Sequence, residues 1–252
     1  IEVFHNFTLL HDDIMDRSDM RRGKPAVHTR WNDNVAILSG DAMMIWAYRL
    51  LSQCDEAVLP QLLAVFTDVA VGVCEGQQYD MDFESRDDVT VEEYLRMIEL
   101  KTAVLLAGAL KIGALCGGAE PVQAELLYRF GIDLGMAFQL QDDLLDTYGD
   151  PAVFGKPVGG DILVGKKTYL LTTALKAADL PTRARLLLCC TTRRWPPARS
   201  SPPSVPCTTR WRSVRRRSAS SLLISTKRDR CFAVFAFPRS ASRRYESFPT
   251  CC

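Results

Sequence analysis

Residues 1–176 predict an all-α domain, and three observations carry the prediction. Apolar residues recur at three- and four-residue spacing, alternating β-branched runs long enough for a strand are nearly absent, and helix-start signals recur at segment edges. The pattern places helices over 1–18, 34–53, 57–83, 91–117, 121–148 and 167–179. The first is already amphipathic at Glu2-Val3-Phe4-His5. Pro60 and Pro121 fall in the first turns of the third and fifth, where the missing N–H costs nothing. Thr90 with Glu93 forms a capping box ahead of the fourth. In the fifth, Gly131 and Gly135 lie on one face and let a neighbouring helix approach closely. Polar, glycine-containing loops such as 21–25 and 155–161 separate the helices.

With 47% apolar residues in 252 and a mean hydropathy of −0.03, the chain can bury a sizeable core, which excludes disorder throughout. No stretch of 18 uninterrupted apolar residues exists. The nearest, 104–119, is shorter and carries Lys111, so no transmembrane segment is expected. The net charge of +1 hides an asymmetry about Thr182: 15 Lys+Arg against 28 Asp+Glu before it, 16 against 2 after it. Residues 183–252 also hold six of the nine cysteines and seven of the thirteen prolines, without helical or strand period from Leu186 to Ser221. Two regions follow: 1–182, a catalytic core, and 183–252, an Arg/Ser/Pro/Cys-rich tail expected to be out of frame or disordered. Its adjacent cysteine pairs fit no zinc pattern. Its arginines predict salt-sensitive, sequence-independent polyanion binding at most, so no specific nucleic acid is expected. Cys54, Cys74 and Cys116, in apolar surroundings, read as buried free thiols, as in a reducing cytoplasm. The chain opens on Ile1 with helical text in progress and reads as N-terminally truncated.

The chemistry is carried by two aspartate sets. Asp12, Asp13 and Asp16 stand on one helix, with Asp12 and Asp16 four residues apart so that their carboxylates project together. Repelling carboxylates at that spacing need cations, and oxygen ligands of this kind suit Mg²⁺ shared with substrate phosphates. A lone copy of the motif is more often a solvated helix face. Asp142, Asp143 and Asp146 repeat the spacing 130 residues on, with Gln139 one turn earlier, and each set is followed by a cationic loop: Arg21, Arg22 and Lys24, then Lys156, Lys166 and Lys167. Two carboxylate clusters ringed by cations make a cavity fit for several Mg²⁺ ions and a polyphosphate.

Six stretches carry a family resemblance: FHNFTLLHDDIMD, RRGKPAVH, LSGDAMM, EGQQYDM, MIELKTA and FQLQDDLLDTYGDPAVFGKPVGGDILVGKKT. In order and spacing the region from Ile1 to about Leu175 resembles the trans-isoprenyl diphosphate synthases, or polyprenyl synthetases. The resemblance implies an isoprenoid-synthase-type bundle of long helices around a central cavity, usually a homodimer. It implies head-to-tail condensation of an allylic diphosphate with isopentenyl diphosphate. Carried over by position, Asp12, Asp13, Asp16, Asp142, Asp143 and Asp146 would hold three Mg²⁺, or Mn²⁺. Arg21, Lys101, Lys156 and Lys166 would bind the allylic phosphates, Thr102 and Gln139 would lie near the allylic cation, and His5 and Arg22 would face isopentenyl diphosphate. Asp161 would orient the Lys156 loop.

Blander readings stand beside these: Lys101 as a snorkelling lysine, His5 as a packed histidine, Lys167 as a solvated side chain, and Met43, Met44 and Trp46 as core. In the resembled family the residues upstream of the first aspartate motif floor the product pocket. Here Phe7 lies five residues upstream and the smaller Thr8 four, with Phe4 a turn deeper, which predicts a C15–C20 product. An upstream GKxxRP block of the family is absent from this sequence, and 183–252 does not resemble the family's C-terminal helices, so weak or no turnover is expected of the chain as it stands. A terpene cyclase of similar fold would carry an Asn/Ser/Glu-type second motif in place of 142–146, and a non-catalytic partner subunit would have eroded aspartates. A cytoplasmic transferase fits the residues best.

Overall fold

The computed structural model describes residues 1–149, 159–161 and 165–192. Helix α1 (Glu2–Met15) leads into a two-residue-per-strand hairpin, β1 (Met20–Arg21) and β2 (Lys24–Pro25), and then a short α2 (Val27–Arg30). The hairpin register pairs Met20 with Pro25 and Arg21 with Lys24, and its tip, Arg22-Gly23, has positive φ at both residues (52° and 74°), as a twist-matched two-residue loop requires. The long elements follow: α3 (Asp33–Leu51), α4 (Leu59–Glu84), α5 (Val91–Ile98), a π-helical turn (Glu99–Ala103), α6 (Val104–Cys116), α7 (Pro121–Tyr148), α8 (Tyr169–Ala177) and α9 (Leu180–Thr192). The all-α expectation holds, with one minimal hairpin in addition.

Local sequence explains the boundaries. Asn32 accepts from the Val35 N–H to cap α3, Thr90 and Glu93 form the reciprocal capping box of α5, and Thr168 caps α8 through the Leu171 N–H. Pro60 and Pro121 sit in the first turns of α4 and α7. The long helices alternate in direction, as residue pairs show. Gly131 and Gly135 of α7 meet Ala107 and Ala103 in descending order, and Gly72 and Gly76 of α4 meet Val104 and Lys101. One end of the bundle is aromatic: Phe4 packs on Phe7 and on Phe66 at centroid distances of 5.3 and 5.2 Å, and Tyr48 meets Phe66 edge-on at 4.9 Å. Phe4, Leu62 and Phe66 are essentially inaccessible, and each contributes about 2–3 kcal/mol of burial free energy. The opposite end is polar and holds the aspartates.

Four expectations are corrected, and a fifth, that no segment crosses a membrane, is set beside one apolar helix that packs in the core. The single helix over 91–117 is broken by the π turn. The boundary after Thr182 falls inside α9, so helical structure runs ten residues into the segment assigned to the tail. Trp46 is half exposed, with the Arg49 guanidinium over its ring, while Met43 and Met44 pack on the core as expected. Cys54, Cys74 and Cys116 are free thiols, but Cys74 and Cys116 are exposed. Finally, α4 is the one helix among the described residues long and apolar enough to cross a membrane by length and composition; its Leu62, Phe66, Val69 and Val73 are buried in the bundle core. The tail from residue 193 onward lies outside the described residues.

The α6–α7 contact gives a direct test of packing. A Cβ at Gly131 would overlap backbone atoms of Ala107, which no rotamer change relieves. Gly131→Ala is therefore expected to lower unfolding free energy by about 1–3 kcal/mol in urea titration, despite alanine's higher helix propensity. Gly72→Ala, whose Cβ would meet only side-chain atoms of Leu100 and Val104 at 3.5 Å, is expected to be neutral or stabilising.

Candidate active site

The last turn and a half of α1 presents Asp12, Asp13 and Asp16. Asp13 is buried, and its Oδ1 accepts two hydrogen bonds from Arg21 of β1, from Nε at 2.9 Å and Nη2 at 2.5 Å; Nη2 also lies 3.3 Å from Asp12. The hairpin exists to deliver that guanidinium back against the helix that precedes it. On the other side of α1, the His11 ring stacks edge-on with Phe7, and its Nε2 lies 3.1 Å from the Ile37 carbonyl, which ties the aspartate end of α1 to α3.

Lys101, in the π turn, donates to Asp80 at 2.6 Å and Asp12 at 3.1 Å, so it joins α1 to α4. Lys166 reaches the same Asp80 oxygen at 3.4 Å. Burial pushes the Asp80 carboxyl up, but Lys166 and Lys101 more than offset it, and the net displacement is below the ordinary value. Burial likewise disfavours the charged forms of Lys101 and Lys166, and the surrounding aspartates reverse that, so both ammonium groups are held protonated. Asp80 was not among the residues singled out from sequence. The available signal was an aspartate in the quoted stretch EGQQYDM, one helical turn after Gly76.

On the opposite wall, Thr102 Oγ1 donates to Gln139 Oε1 at 3.1 Å, and Gln139 Nε2 donates to Asp143 at 3.3 Å. Asp143 is buried and accepts also from the Tyr94 hydroxyl at 2.5 Å and the Tyr169 N–H at 3.1 Å. It therefore braces α5, α7 and the first turn of α8 together. Asp146 accepts from the Asp161 N–H at 3.1 Å, and Asp142 has no hydrogen bond or ion pair among the described residues. Lys167, expected as a solvated side chain, is buried, with its Nζ 3.5 Å from Asp87. The two adjacent lysines thus diverge, Lys166 toward Asp80 and Lys167 toward the α4–α5 loop. Lys156 lies outside the described residues. His5 is half-buried on α1, and Arg22, with Asn6, Leu9, Arg21 and Lys24, lines a cavity of about 370 Å³ beside the first aspartate set.

Eight carboxylates, from Asp12, Asp13, Asp16, Asp80, Asp142, Asp143, Asp146 and Asp161, share this end of the bundle with Arg21, Lys101 and Lys166 among the described residues. The imbalance shows in the acids. Desolvation and then Asp12 push the Asp16 carboxyl up, and burial with the neighbouring aspartates pushes Asp161 up to about 6. Such a donor set suits hard divalent cations. The two sets stand on separate walls, and no three acidic, His or Cys groups converge into one ligating cluster among the described residues. Of the six expected ligands, Asp12, Asp13, Asp143 and Asp146 accept hydrogen bonds from protein groups, and Asp13 and Asp143 are the buried ones.

The family model for polyprenyl synthetase matches residues 1–195. The chain belongs to the polyprenyl synthetase family. A relative from Methanothermobacter thermautotrophicus, a short chain isoprenyl diphosphate synthase, is 46% identical over 188 residues, covering 74% of this chain and 58% of the relative. The crystal structure of a geranylgeranyl pyrophosphate synthase superposes with a TM-score of 0.67 at 54% identity, over 76% of this chain and 56% of that one. That of the Corynebacterium glutamicum geranylgeranyl pyrophosphate synthase, complexed with isoprenyl diphosphate and magnesium, gives 0.70 at 33% identity, over 77% and 61%. The chain spans less than two thirds of the length of these polyprenyl synthetases.

Asp80 makes the site's internal balance testable. Asp80→Asn keeps the volume and removes the charge, leaving Lys101 and Lys166 facing each other. Unfolding free energy at neutral pH is expected to fall by about 1–3 kcal/mol, less than a fully buried pair would lose because both lysines keep a path to water. An unchanged urea midpoint would show that the lysines are balanced elsewhere.

Proposed function

We propose that this chain carries the chemistry of an Mg²⁺-dependent cytoplasmic prenyltransferase. It condenses an allylic diphosphate with isopentenyl diphosphate, head to tail, into a short trans-prenyl diphosphate. The observation that carries the reading is the junction of Asp12, Asp80, Lys101 and Lys166, where lysines held protonated border a surplus of carboxylates. Asp12, Asp13, Asp16, Asp142, Asp143 and Asp146 are the residues that would hold Mg²⁺, with Asp13 and Asp143 also bracing the walls through Arg21 and Tyr94. Bound Mg²⁺ supplies charge neutralisation on the leaving diphosphate.

The chain's own residues do the rest. Arg21, Lys101, Lys166 and Lys156 bind the diphosphate and stabilise the charge that develops on it as the carbon–oxygen bond ionises. Thr102 and Gln139, side by side at 3.1 Å, point oxygen dipoles toward the allylic carbon. Arg22 lines the basic cavity beside α1, which would take isopentenyl diphosphate, and His5, half-buried on α1, would face the same substrate. The double bond of isopentenyl diphosphate then attacks the cation, and the proton lost passes to the released diphosphate. A homodimer is the assembly proposed; the exposed Leu38, Ile45 and Trp46 on α3 supply apolar surface that supports it.

Incubation with Mg²⁺, radiolabelled isopentenyl diphosphate and geranyl or farnesyl diphosphate is expected to give extractable prenyl product that EDTA abolishes. A chain that binds an allylic diphosphate only with Mg²⁺ but makes no product retains the site without the full reaction; absence of both results overturns the reading.

Product length is assigned to C15–C20 through Phe7, which is buried between Phe4 and His11 beneath the aspartate turn. Phe7→Ala is expected to move the product distribution upward by at least one isoprene unit, read by chain-length chromatography. An unchanged distribution removes Phe7 from the floor of the pocket.

A further inference from the structure

The π turn between α5 and α6 is pressed on both sides by backbone. From α4, a Cβ at Gly76 would overlap the Lys101 N and Cα and the Leu100 carbonyl carbon. From α7, a Cβ at Gly135 would overlap the Cα and Cβ of Ala103. Both glycines are buried within helices, so their bare Cα atoms serve close approach rather than unusual dihedrals. One helical turn beyond each glycine stands the residue that receives a π-turn side chain: Asp80 takes Lys101 at 2.6 Å, and Gln139 takes Thr102 at 3.1 Å. A π turn is rare and locally strained, and it survives where its surroundings over-determine it. Two successive residues of this turn, Lys101 and Thr102, serve opposite walls of one cavity.

We infer that Gly76 and Gly135 form a clamp that holds the π turn in register, making them positioning residues for Lys101 and Thr102. The inference deepens the assignment of the cavity as a diphosphate site and rests on it. Gly76 governs the Lys101–Asp80 geometry and therefore diphosphate affinity. Gly135 governs the Thr102–Gln139 contact and leaves diphosphate affinity largely alone. Gly131 supplies the matched comparison, since its Cβ would strike α6 backbone at Ala107, one turn past the clamp.

The test titrates inorganic diphosphate in Mg²⁺ buffer by calorimetry into the full chain and into Gly76→Ala, Gly135→Ala and Gly131→Ala. Gly76→Ala is expected to weaken binding about tenfold, the worth of one charge-assisted contact. Gly131→Ala and Gly135→Ala, both destabilised, are expected to stay within about twofold. Equal affinity in Gly76→Ala and Gly131→Ala overturns the clamp, because general destabilisation would then explain both. Amide exchange in the unsubstituted chain gives a second reading that no folding failure can remove. Amides of 101–103 are expected to be as protected as those at the centres of α4 and α7, and Gly135→Ala is expected to speed exchange at Thr102 and Ala103. Fast exchange at the π turn of the unsubstituted chain overturns the clamp. Should that chain not bind diphosphate at all, the functional assignment fails, and exchange alone decides the clamp.

Discussion

Two lysines from distant segments converge on one carboxylate, and the polar end of the bundle is organised by that shared acceptor. Asp80 is 8% exposed and sits near the end of α4, while Lys101 arrives from the π turn and Lys166 from the loop before α8. A buried carboxylate without partners would neutralise itself; with two ammonium groups against it, it is held below its ordinary range and remains charged. The second donation of Lys101, to Asp12, extends the link to α1. Three helical segments and one loop are thereby fixed by charge, in a region where the apolar core has given way to carboxylates. The balance is incomplete, because Asp16 and Asp161 are still pushed upward. Burial is the first cause of both shifts and neighbouring aspartates add to it, so the cavity is lined by carboxyls that the protein's own cations only partly balance.

Backbone geometry converts this electrostatic frame into a directional one. In an uninterrupted α-helix, neighbouring side chains diverge by about 100° and the helix would run straight through from Val91 to Cys116. The extra residue accommodated in Glu99–Ala103 shifts α5 against α6, which sends Tyr94 of α5 to Asp143 while Lys101 and Thr102 reach α4 and α7. Wider packing cooperates: Gly76 on α4, and Gly131 and Gly135 on α7, let both helices approach the α5–α6 rod backbone to backbone. Small residues at these crossings leave no soft side chain to absorb a shift, so a displacement at one end of the rod is transmitted to the other.

Much of this was legible in the sequence because it depends on local pattern. The periodicity placed the long helices within a few residues, Thr90-x-x-Glu93 located a cap that forms as read, and the Gly131/Gly135 spacing marked a helix contact that exists. What escaped depends on three dimensions. Nothing in Ile98-Glu99-Leu100-Lys101 announces a π turn, since an extra residue per turn leaves no compositional trace. Asp80 looked like one acid among several on α4 until two lysines, 21 and 86 positions on, were found against it. Lys167 read as solvated, yet its side chain diverges from that of Lys166 and is buried beside Asp87. Helix α9 was not placed because residues 186–190 form a continuous Leu-Leu-Leu-Cys-Cys run without a three- and four-residue apolar period.

The two aspartate motifs differ in how they divide labour, and the division follows from helix geometry. In each motif the second aspartate is rotated by about 100° from the first and is the more buried, on the flank of its helix that meets neighbouring elements. On α1 that flank meets the hairpin, so Asp13 is matched by Arg21; on α7 it meets α5 and α8, so Asp143 is matched by a tyrosine hydroxyl, a backbone N–H and an amide. Asp13 receives a full charge and Asp143 only dipoles, which is why burial still pushes the Asp143 carboxyl up. The α1 set is therefore held by charge, through Arg21 and Lys101, whereas the α7 set is held by three hydrogen bonds converging on a nearly inaccessible carboxylate, which no single charge neutralises.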